Sequence, residues 1–213
     1  MNFIFDFDGT LADTSELIVA TMQKSIKEMG LPFKNEGEIK ATIGVRLEEI
    51  PSILWPEHEK IGDTFATLYR KHFEMTKKEI TVKLYPGVKE TLKALKEKGH
   101  NLAIATSRSR RSVEELALQL SILDEFDYML GGDEVSEGKP HAESIYKILQ
   151  TSGWKKEDTV MVGDMAVDIQ MGKAADVRTC GVSYGNGNTT DLKDAGSQEI
   201  ISHFGELINL YDR

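Results

Sequence analysis

Two aspartates, Asp6 and Asp8, close an apolar run near the start of the chain, in the stretch FIFDFDG. Side chains two residues apart on a strand point to the same face, so both carboxylates would lie together at the end of this strand. Two ionised carboxylates in one place repel each other unless a positive group lies between or beside them. Gly9 follows them and permits a tight backbone turn. A solvated strand end or a helix N-cap is the alternative, which the fully apolar preceding run disfavours.

A second pair of acids follows a later apolar run, in VMVGDMAVD. Asp164 comes directly after Gly163, and Asp168 lies four residues further on, at helical spacing. Taken singly, Asp164 could be a helix N-cap and Asp168 a first-turn acid that faces the helix dipole. Two separate strands that both end in paired acids weaken that explanation. An oxygen-rich cluster of this kind suits a hard cation such as Mg²⁺, held by carboxylates, water and a substrate phosphate.

Two further segments offer groups that bind phosphate. ATSRS places Thr106 and Ser107 after another apolar run, where hydroxyls and backbone N–H groups could bind phosphate oxygens or cap a helix. EGKPHAES places Lys139 between Gly138 and Pro140, which restrict the backbone and give the ammonium a defined direction.

Apolar strand-like runs alternate with helical patterns over most of the chain. The runs are FIFDFD at 3–8, NLAIATS at 101–107, FDYMLGGD at 126–133, TVMVGD at 159–164 and VRTCGVSYG at 177–185. Most are apolar throughout, as in a parallel sheet covered on both faces. We therefore predict an α/β fold, a Rossmann-like three-layer αβα parallel sheet that binds ligands beyond the carboxyl ends of its strands.

The helical patterns between these runs carry recognisable ends. Val88, Leu92 and Leu95 share one helical face, and Gly99 is placed to end that helix. Ser112 and Glu115 have the spacing of a capping box and predict a helix that begins near residue 112.

Residues 14–82 break the alternation and look entirely helical. One apolar face precedes Gly30 and a second lies near residue 70; the two are Ile18, Met22, Ile26, Met29 and Ile61, Phe65, Leu68, His72, Met75. We predict an α/β core made of residues 1–13 and 83–213, with a helical cap at 14–82 inserted after the first strand. The linkers near 12–14 and 83–85 would act as hinges.

Composition limits the partners of the protein. Of 213 residues, 40% are apolar, which suffices for a core, and the net charge of −9 disfavours nucleic acid and anionic membranes as partners. The one cysteine, Cys180, permits no internal disulfide and fits a reducing compartment. No secretory pattern is evident, and no apolar run approaches the roughly 18 residues of a membrane span. The expectation is a cytoplasmic protein, and the sequence leaves monomer and homodimer both open.

The segments FDFDGTLADT, ATSRS, GKP and GDMAVD, in this order, resemble the four motifs of the haloacid dehalogenase superfamily. The helical insertion after the first motif is similar to the cap of the phosphoglycolate phosphatase and β-phosphoglucomutase branch. The resemblance implies a Mg²⁺-dependent phosphatase that acts through an aspartyl phosphate on a small-molecule phosphomonoester: phosphoglycolate-like, a sugar phosphate or a nucleotide.

The resemblance also implies roles for catalytic residues. Asp6 would be the nucleophile, and Asp8 the general acid and then the general base. Thr106 and Lys139 would stabilise the phosphoryl oxygens, with Ser107 beside them.

The resemblance further implies a metal site. Its residues would be Asp6, Asp8 through its carbonyl, Asp164 and Asp168. The last of these would act at the metal through water or by orienting Lys139.

Other readings stay open. A phosphomutase would share every catalytic residue, and a non-catalytic phosphate-binding protein could keep the fold; a dehalogenase or phosphonate hydrolase is disfavoured because those relatives lack the acid at Asp8. In the cap segment IGVRLEEI, Arg46 could hold a substrate carboxylate or be solvated. For Arg108, Arg110 and Arg111 in SRSRRS, a solvated helix start is favoured over the rim of the site.

Overall fold

A six-stranded parallel sheet forms the centre of the computed structural model, which describes residues 1–211 apart from the side chain of Glu59. Its spatial order is β5-β4-β1-β6-β7-β8. The strands are β1 (Asn2–Phe5), β4 (Asn101–Ala105), β5 (Tyr128–Leu130), β6 (Thr159–Gly163), β7 (Arg178–Val182) and β8 (Glu199–Ile201). Two short strands, β2 (Ala12–Asp13) and β3 (Lys83–Leu84), form a separate antiparallel pair.

Helices cover both faces of the sheet and build the inserted segment. The inserted helices are α1 (Ser15–Met29), α2 (Glu36–Lys40), α3 (Ile50–Leu54) and α4 (Gly62–Thr76), with a 3₁₀ stretch at Pro56–Ile61. The helices of the core are α5 (Val88–Glu97), α6 (Arg110–Gln119), α7 (Glu143–Ser152), α8 (Ala166–Ala174), α9 (Thr189–Asp194) and α10 (Glu206–Tyr211). Short 3₁₀ turns lie at Leu123–Glu125, Gly132–Glu134 and Lys156–Asp158. The predicted α/β fold class is confirmed.

The apolar character of β1 follows from burial on both faces. Phe3 and Phe5 are fully buried in the core cluster that also contains Leu92 of α5. Ile4, between them, packs in a second cluster on the opposite face of the sheet with Ile145 of α7. Successive side chains of a strand point to opposite faces, so a strand covered twice needs an unbroken apolar run.

The inserted segment is a helical cap built mainly on α1 and α4. Gly30 adopts a left-handed conformation (φ 65°) and ends α1. The predicted apolar face of α4 is wrong at its far end, because Met75 is 45% exposed. The buried face of this helix contains Tyr69 and Phe73 instead, which point toward the core. His72 is buried beside them.

Both chain crossings between core and cap lie side by side. Ala12 pairs with Leu84 and Asp13 with Lys83 in the β2–β3 ladder. A hydrogen bond of 3.0 Å from the Tyr85 N–H to the Leu11 carbonyl extends this pairing. The two predicted linkers therefore form one narrow connection, while their action as hinges stays a prediction.

Two details differ from the sequence expectation. Helix α6 begins at Arg110, close to the predicted start, and its N-cap is Ser109, whose hydroxyl accepts a hydrogen bond from the Ser112 N–H; the capping box predicted from Ser112 and Glu115 is wrong. Because Ser109 has extended backbone angles (φ −63°, ψ 148°), it can cap the helix, whereas Ser112 already lies in the first turn. The sequence also gave no prediction for β8, α9 and α10. No helix within residues 1–211 is long and apolar enough to cross a membrane.

Candidate active site

The polar groups of the site follow three neighbouring strands. In the sheet, β1 lies between β4 and β6, and Phe5 of β1 is level with Ile104 and Val162. Asp6 follows β1, Thr106 follows β4 and Asp164 follows β6, so all three emerge at the same edge of the sheet. Parallel strands bring their carboxyl ends together at this edge, which is where such sheets bind ligands.

A buried acidic cluster occupies this edge. Asp6, Asp164 and Asp168 are at most 2% exposed, and each offers an oxygen that lies within 4.8 Å of the other two. The buried ammonium of Lys139 donates a short hydrogen bond to Asp6 and one of 2.7 Å to Asp168. Lys139 thus reaches the cluster from the turn before α7 and links the acid that follows β1 to the acid in the first turn of α8.

The electrostatics of this cluster favour bound positive charge. Burial raises the pKa of Asp6 well above its usual value against the opposing effect of Lys139, and the neighbouring carboxylates raise it further. Burial, followed by the nearby Asp168, raises the pKa of Asp164 to about 7. When all three carboxylates are ionised, they face one ammonium and leave two negative charges uncompensated, which a divalent cation would balance. The donor set therefore fits such an ion.

Local backbone structure fixes Asp164 beside the first strand end. Its two oxygens accept hydrogen bonds from the Thr10 hydroxyl (3.1 Å) and from the Asn186 N–H (2.7 Å). Gly9 has φ 87°, and a Cβ there would lie 2.1 Å from Asp164 Oδ2. The turn after Asp8 therefore requires glycine both for its conformation and for the approach of the carboxylate.

Asp8 lies in a different environment from Asp6. The guanidinium of Arg108 donates to both oxygens of Asp8, with Nε at 2.8 Å from Oδ2 and Nη2 at 2.7 Å from Oδ1. The Thr14 hydroxyl donates to Oδ1 at 2.5 Å. Asp8 is 8% exposed and lines a cavity of about 630 Å³ between the cap and the core. The second aspartate therefore faces the space into which the rest of a substrate would extend.

The structure brings four of the predicted site residues into one cluster, namely Asp6, Lys139, Asp164 and Asp168. Thr106 is 3% exposed at the same edge, and its hydroxyl accepts from the Arg108 N–H at 3.2 Å.

The other two predicted substrate contacts are engaged between cap and core. The Ser107 hydroxyl donates to the Gly44 carbonyl of the cap at 2.5 Å. The Arg46 guanidinium donates to three carbonyls of the core turn 132–136, at 2.5–3.0 Å. Substrate roles for Ser107 and Arg46 stay predictions.

Arg108 is the functional residue that sequence reasoning missed, since a solvated position was favoured for it. Its side chain is 9% exposed and paired with Asp8, whereas that of Arg111 is 84% exposed. A signal was present in the sequence. Arg110 and Arg111 each have a glutamate four residues on and form those ion pairs, while the residue four after Arg108 is Ser112. The arginine without a local acidic partner is the one that turns inward; its Nη1 donates instead to the Ser112 hydroxyl at 3.1 Å.

A parallel sheet with a buried acidic cluster, a lysine and a second aspartate at its strand ends, under a helical cap, is the arrangement of a hydrolase with an α/β fold. Comparison with known proteins agrees. The family model described as haloacid dehalogenase-like hydrolase matches residues 3–182. The chain is 37% identical over 208 residues to the pyrophosphatase PpaX of Halalkalibacterium halodurans, covering 97% of this chain and 94% of that protein.

Two further relatives extend the comparison. A phosphoglycolate phosphatase of Aquifex aeolicus is 30% identical over 209 residues, covering 98% of this chain and 95% of that protein. A solved structure from Bacteroides fragilis, described as a haloacid dehalogenase-like hydrolase, has a TM-score of 0.92 and 29% identity, with 97% and 99% of the two chains covered. The chain belongs to the haloacid dehalogenase-like hydrolase family. It is a phosphoric monoester hydrolase of that family.

Proposed function

We propose that this enzyme hydrolyses small-molecule phosphomonoesters in a Mg²⁺-dependent reaction that passes through an aspartyl phosphate on Asp6. The observation that carries the proposal is the division between two neighbouring carboxylates. Asp6 is buried in the acidic cluster with Lys139, while Asp8 lines the cavity beside it. A nucleophile in the cation site and an acid facing the leaving group are what a two-step phosphoryl transfer requires.

In the first step, a carboxylate oxygen of Asp6 attacks phosphorus and forms an acyl phosphate, and the bond from phosphorus to the leaving oxygen breaks. Asp8 supplies the proton that the leaving oxygen takes up. Lys139 and the Thr106 hydroxyl lie where they can hold phosphoryl oxygens. Asp168 accepts a hydrogen bond from Lys139 and so keeps the ammonium directed at the nucleophile.

In the second step, water attacks the same phosphorus, and Asp8, now ionised, takes a proton from that water. The bond between phosphorus and the Asp6 oxygen breaks, orthophosphate leaves, and the Asp6 carboxylate is restored. Arg108 and Thr14 hold the Asp8 carboxylate in place beside the cavity. The proton that Asp8 gave away is thereby recovered, so both residues return to their starting state.

The Mg²⁺ ion would be held by Asp6, Asp164 and Asp168, joined by the backbone carbonyl of Asp8. When bound, it supplies positive charge that offsets the repulsion between an anionic nucleophile and an anionic phosphate. The uncompensated charge of the acidic cluster supports this assignment.

The single cysteine fits a reducing compartment such as the cytoplasm as the place of action.

The test is release of orthophosphate from p-nitrophenyl phosphate and a panel of phosphate esters, with Mg²⁺ and with EDTA. We expect Mg²⁺-dependent release by the wild type and none by Asp6→Asn. After turnover is quenched, borohydride reduction should convert phosphorylated Asp6 to homoserine, which peptide mass spectrometry identifies. Asp63→Asn is the matched control, because Asp63 is exposed on the cap.

Two outcomes would contradict the proposal. If a sugar phosphate is isomerised in the presence of a bisphosphate primer while no ester is hydrolysed, the enzyme is a phosphomutase. If Asp6→Asn retains full activity, Asp6 is not the nucleophile.

A further inference from the structure

The cavity beside Asp8 defines the space for the leaving group, provided that the proposed function holds. Its walls come from α1 and α4 of the cap, from the cap segment 42–50 and from the core segment 107–112. Its volume of about 630 Å³ lies well inside the range of about 300–1,000 Å³ found for pockets that enclose drug-sized ligands. A two-carbon or inorganic leaving group would fill only a small part of it.

The positive side chains of the cavity already have partners. Four arginines line it, and no lysine or histidine does so among the described residues. Arg46 donates to three carbonyls, and Arg108 is paired with Asp8. The other two are paired with glutamates: Arg70 with Glu48 at 2.6 Å, and Arg111 with Glu115 at 2.8 Å.

Negative charge outweighs positive charge in the same walls. The lining holds six carboxylates against its four arginines: Asp8, Glu48, Glu49, Glu74, Glu115 and Asp133. A leaving group with its own carboxylate or phosphate would therefore enter a net negative surrounding in which three of the four arginines are already paired with carboxylates and Arg46 is held by carbonyls. An uncharged leaving group meets neither obstacle.

Apolar side chains supply much of the remaining wall. Two aromatic rings on α4, Tyr69 and Phe73, stack with centroids 6.1 Å apart and planes inclined by 22°. The aliphatic lining residues are Ile18, Met22, Ile43, Val45, Leu47 and Ile50. The Arg108 guanidinium already lies over the Phe73 ring, 5.0 Å from its centroid, so this wall would bind a ring-bearing leaving group by burial of apolar area.

We propose that the substrate is the phosphomonoester of an uncharged, ring-bearing alcohol of about nucleoside size, with nucleoside 5′-monophosphates as the natural example. Its phosphate lies at Asp6 and Lys139, its leaving oxygen at Asp8, and its ring between the cap helices. Phosphoglycolate and pyrophosphate, whose leaving groups are small and charged, are poor substrates on this account.

The first experiment compares kcat/KM of the wild-type enzyme with Mg²⁺ on four nucleoside 5′-monophosphates, phosphoglycolate, pyrophosphate and acetyl phosphate. Acetyl phosphate reports phosphoryl transfer with a small leaving group. We expect at least one nucleotide to exceed phosphoglycolate and pyrophosphate by about tenfold or more. Turnover of acetyl phosphate with phosphoglycolate as the best substrate would overturn this inference and leave the proposed function intact. Pyrophosphate as the best substrate would contradict both, because it is a phosphoanhydride and not a phosphomonoester. No turnover of any compound would instead contradict the proposed function.

The second experiment fills the cavity. Val45→Phe adds a ring to its wall, and Ile53→Phe adds the same ring at a position of α3 that is 54% exposed and outside the lining. We expect Val45→Phe to raise KM for the best nucleotide about tenfold and to raise KM for acetyl phosphate less. Ile53→Phe should leave KM unchanged for both substrates. Equal losses on both substrates with Val45→Phe would overturn the assignment of the cavity to the leaving group.

Discussion

At the scale of single residues, Asp6 and Asp8 show how two carboxylates in one short segment come to lie in different surroundings. Asp6 is surrounded by other acids, and burial raises its pKa against the pull of Lys139. Asp8 accepts hydrogen bonds from Arg108 and Thr14, which direct it into the cavity. Lys139 and Arg108, the cationic partners of the two carboxylates, come from distant parts of the chain, so this difference in surroundings is a property of the fold.

Removal of the Asp6 charge should lower the activity of the enzyme and raise the stability of its metal-free form. Asp6→Asn should reduce phosphate release by about 10³-fold or more, because the nucleophile is lost. In EDTA the same change neutralises one of three crowded carboxylates and should stabilise the fold by about 1 kcal/mol. For a chain of this size, that raises the melting temperature by about 2–4 °C. Calorimetry measures the melting temperature and the phosphate assay measures the activity, with Asp63→Asn as the control for each. A lower melting temperature in EDTA would show that carboxylate repulsion is not what limits the stability of the site.

The pair formed by Arg108 and Asp8 should couple strongly in stability. Arg108→Met leaves a buried carboxylate without its cation and should lower the free energy of unfolding by about 3 kcal/mol. The double variant with Asp8→Asn should lose less than the sum of the single variants, because the unpaired charge is gone. Urea denaturation measures the cycle. Arg111→Met, whose arginine is 84% exposed, should stay within about 0.5 kcal/mol of the wild type; additive losses in the cycle would contradict a direct pair.

At the scale of secondary-structure elements, the sequence predicts best the strands that are buried on both faces of the sheet. The strand runs near 3–8 and 159–164 are apolar because both faces of β1 and β6 are covered, so their place in a parallel sheet is readable. The direction of Arg108 was not readable in the same way, because its partner is 100 residues away and is brought near only by the pairing of β1 with β4. The face of α4 was misjudged for a related reason: Tyr69 and Phe73 face the core across a cavity that only the docked cap creates.

The contact between cap and core provides a prediction about Arg46. Arg46→Ala removes three hydrogen bonds to the turn 132–136 and should weaken closure of the cap. If Arg46 acts only as this link, KM should rise by a similar factor for every substrate, about 3- to 10-fold for the loss of bonds from a charged donor. If it binds a substrate carboxylate, the increase should be confined to substrates that carry one. Steady-state kinetics on phosphoglycolate and on an ester with an uncharged leaving group separate these outcomes, with Lys27→Ala as the control at an exposed cap cation outside the cavity lining.

At the scale of the whole molecule, the chain concentrates buried charge where its two parts meet. Asp6, Lys139, Asp164 and Asp168 are buried at the sheet edge, and the narrow β2–β3 connection joins this core to the cap. The acidic cluster opposes folding when it has no bound cation, because its carboxylates are desolvated and close together. The site is therefore a place where ligand binding and stability of the whole fold are linked.

This linkage predicts how Mg²⁺ affects melting at different pH. The pKa of Asp164 is raised from 3.8 to about 7 in the folded protein, so between these values the folded state holds a proton that the unfolded chain has lost. The contribution of this group is fully present below about pH 4 and is lost as pH rises through about 7, so the metal-free protein loses stability over that window. Mg²⁺ binds the ionised carboxylates and competes with that proton. The rise in melting temperature that saturating Mg²⁺ gives over EDTA should therefore be larger at pH 8 than at pH 5.5.

Differential scanning calorimetry across this pH range measures the effect. NaCl at matched ionic strength controls for screening, and Asp191→Asn, a change at an exposed carboxylate, controls for general charge. Asp164→Asn should remove most of the Mg²⁺-dependent rise at both pH values, because the metal site loses one of its three carboxylates. A Mg²⁺ effect that is independent of pH, or that survives Asp164→Asn in full, would mean that the ion binds elsewhere on this acidic protein and that the cluster at the sheet edge is not its site.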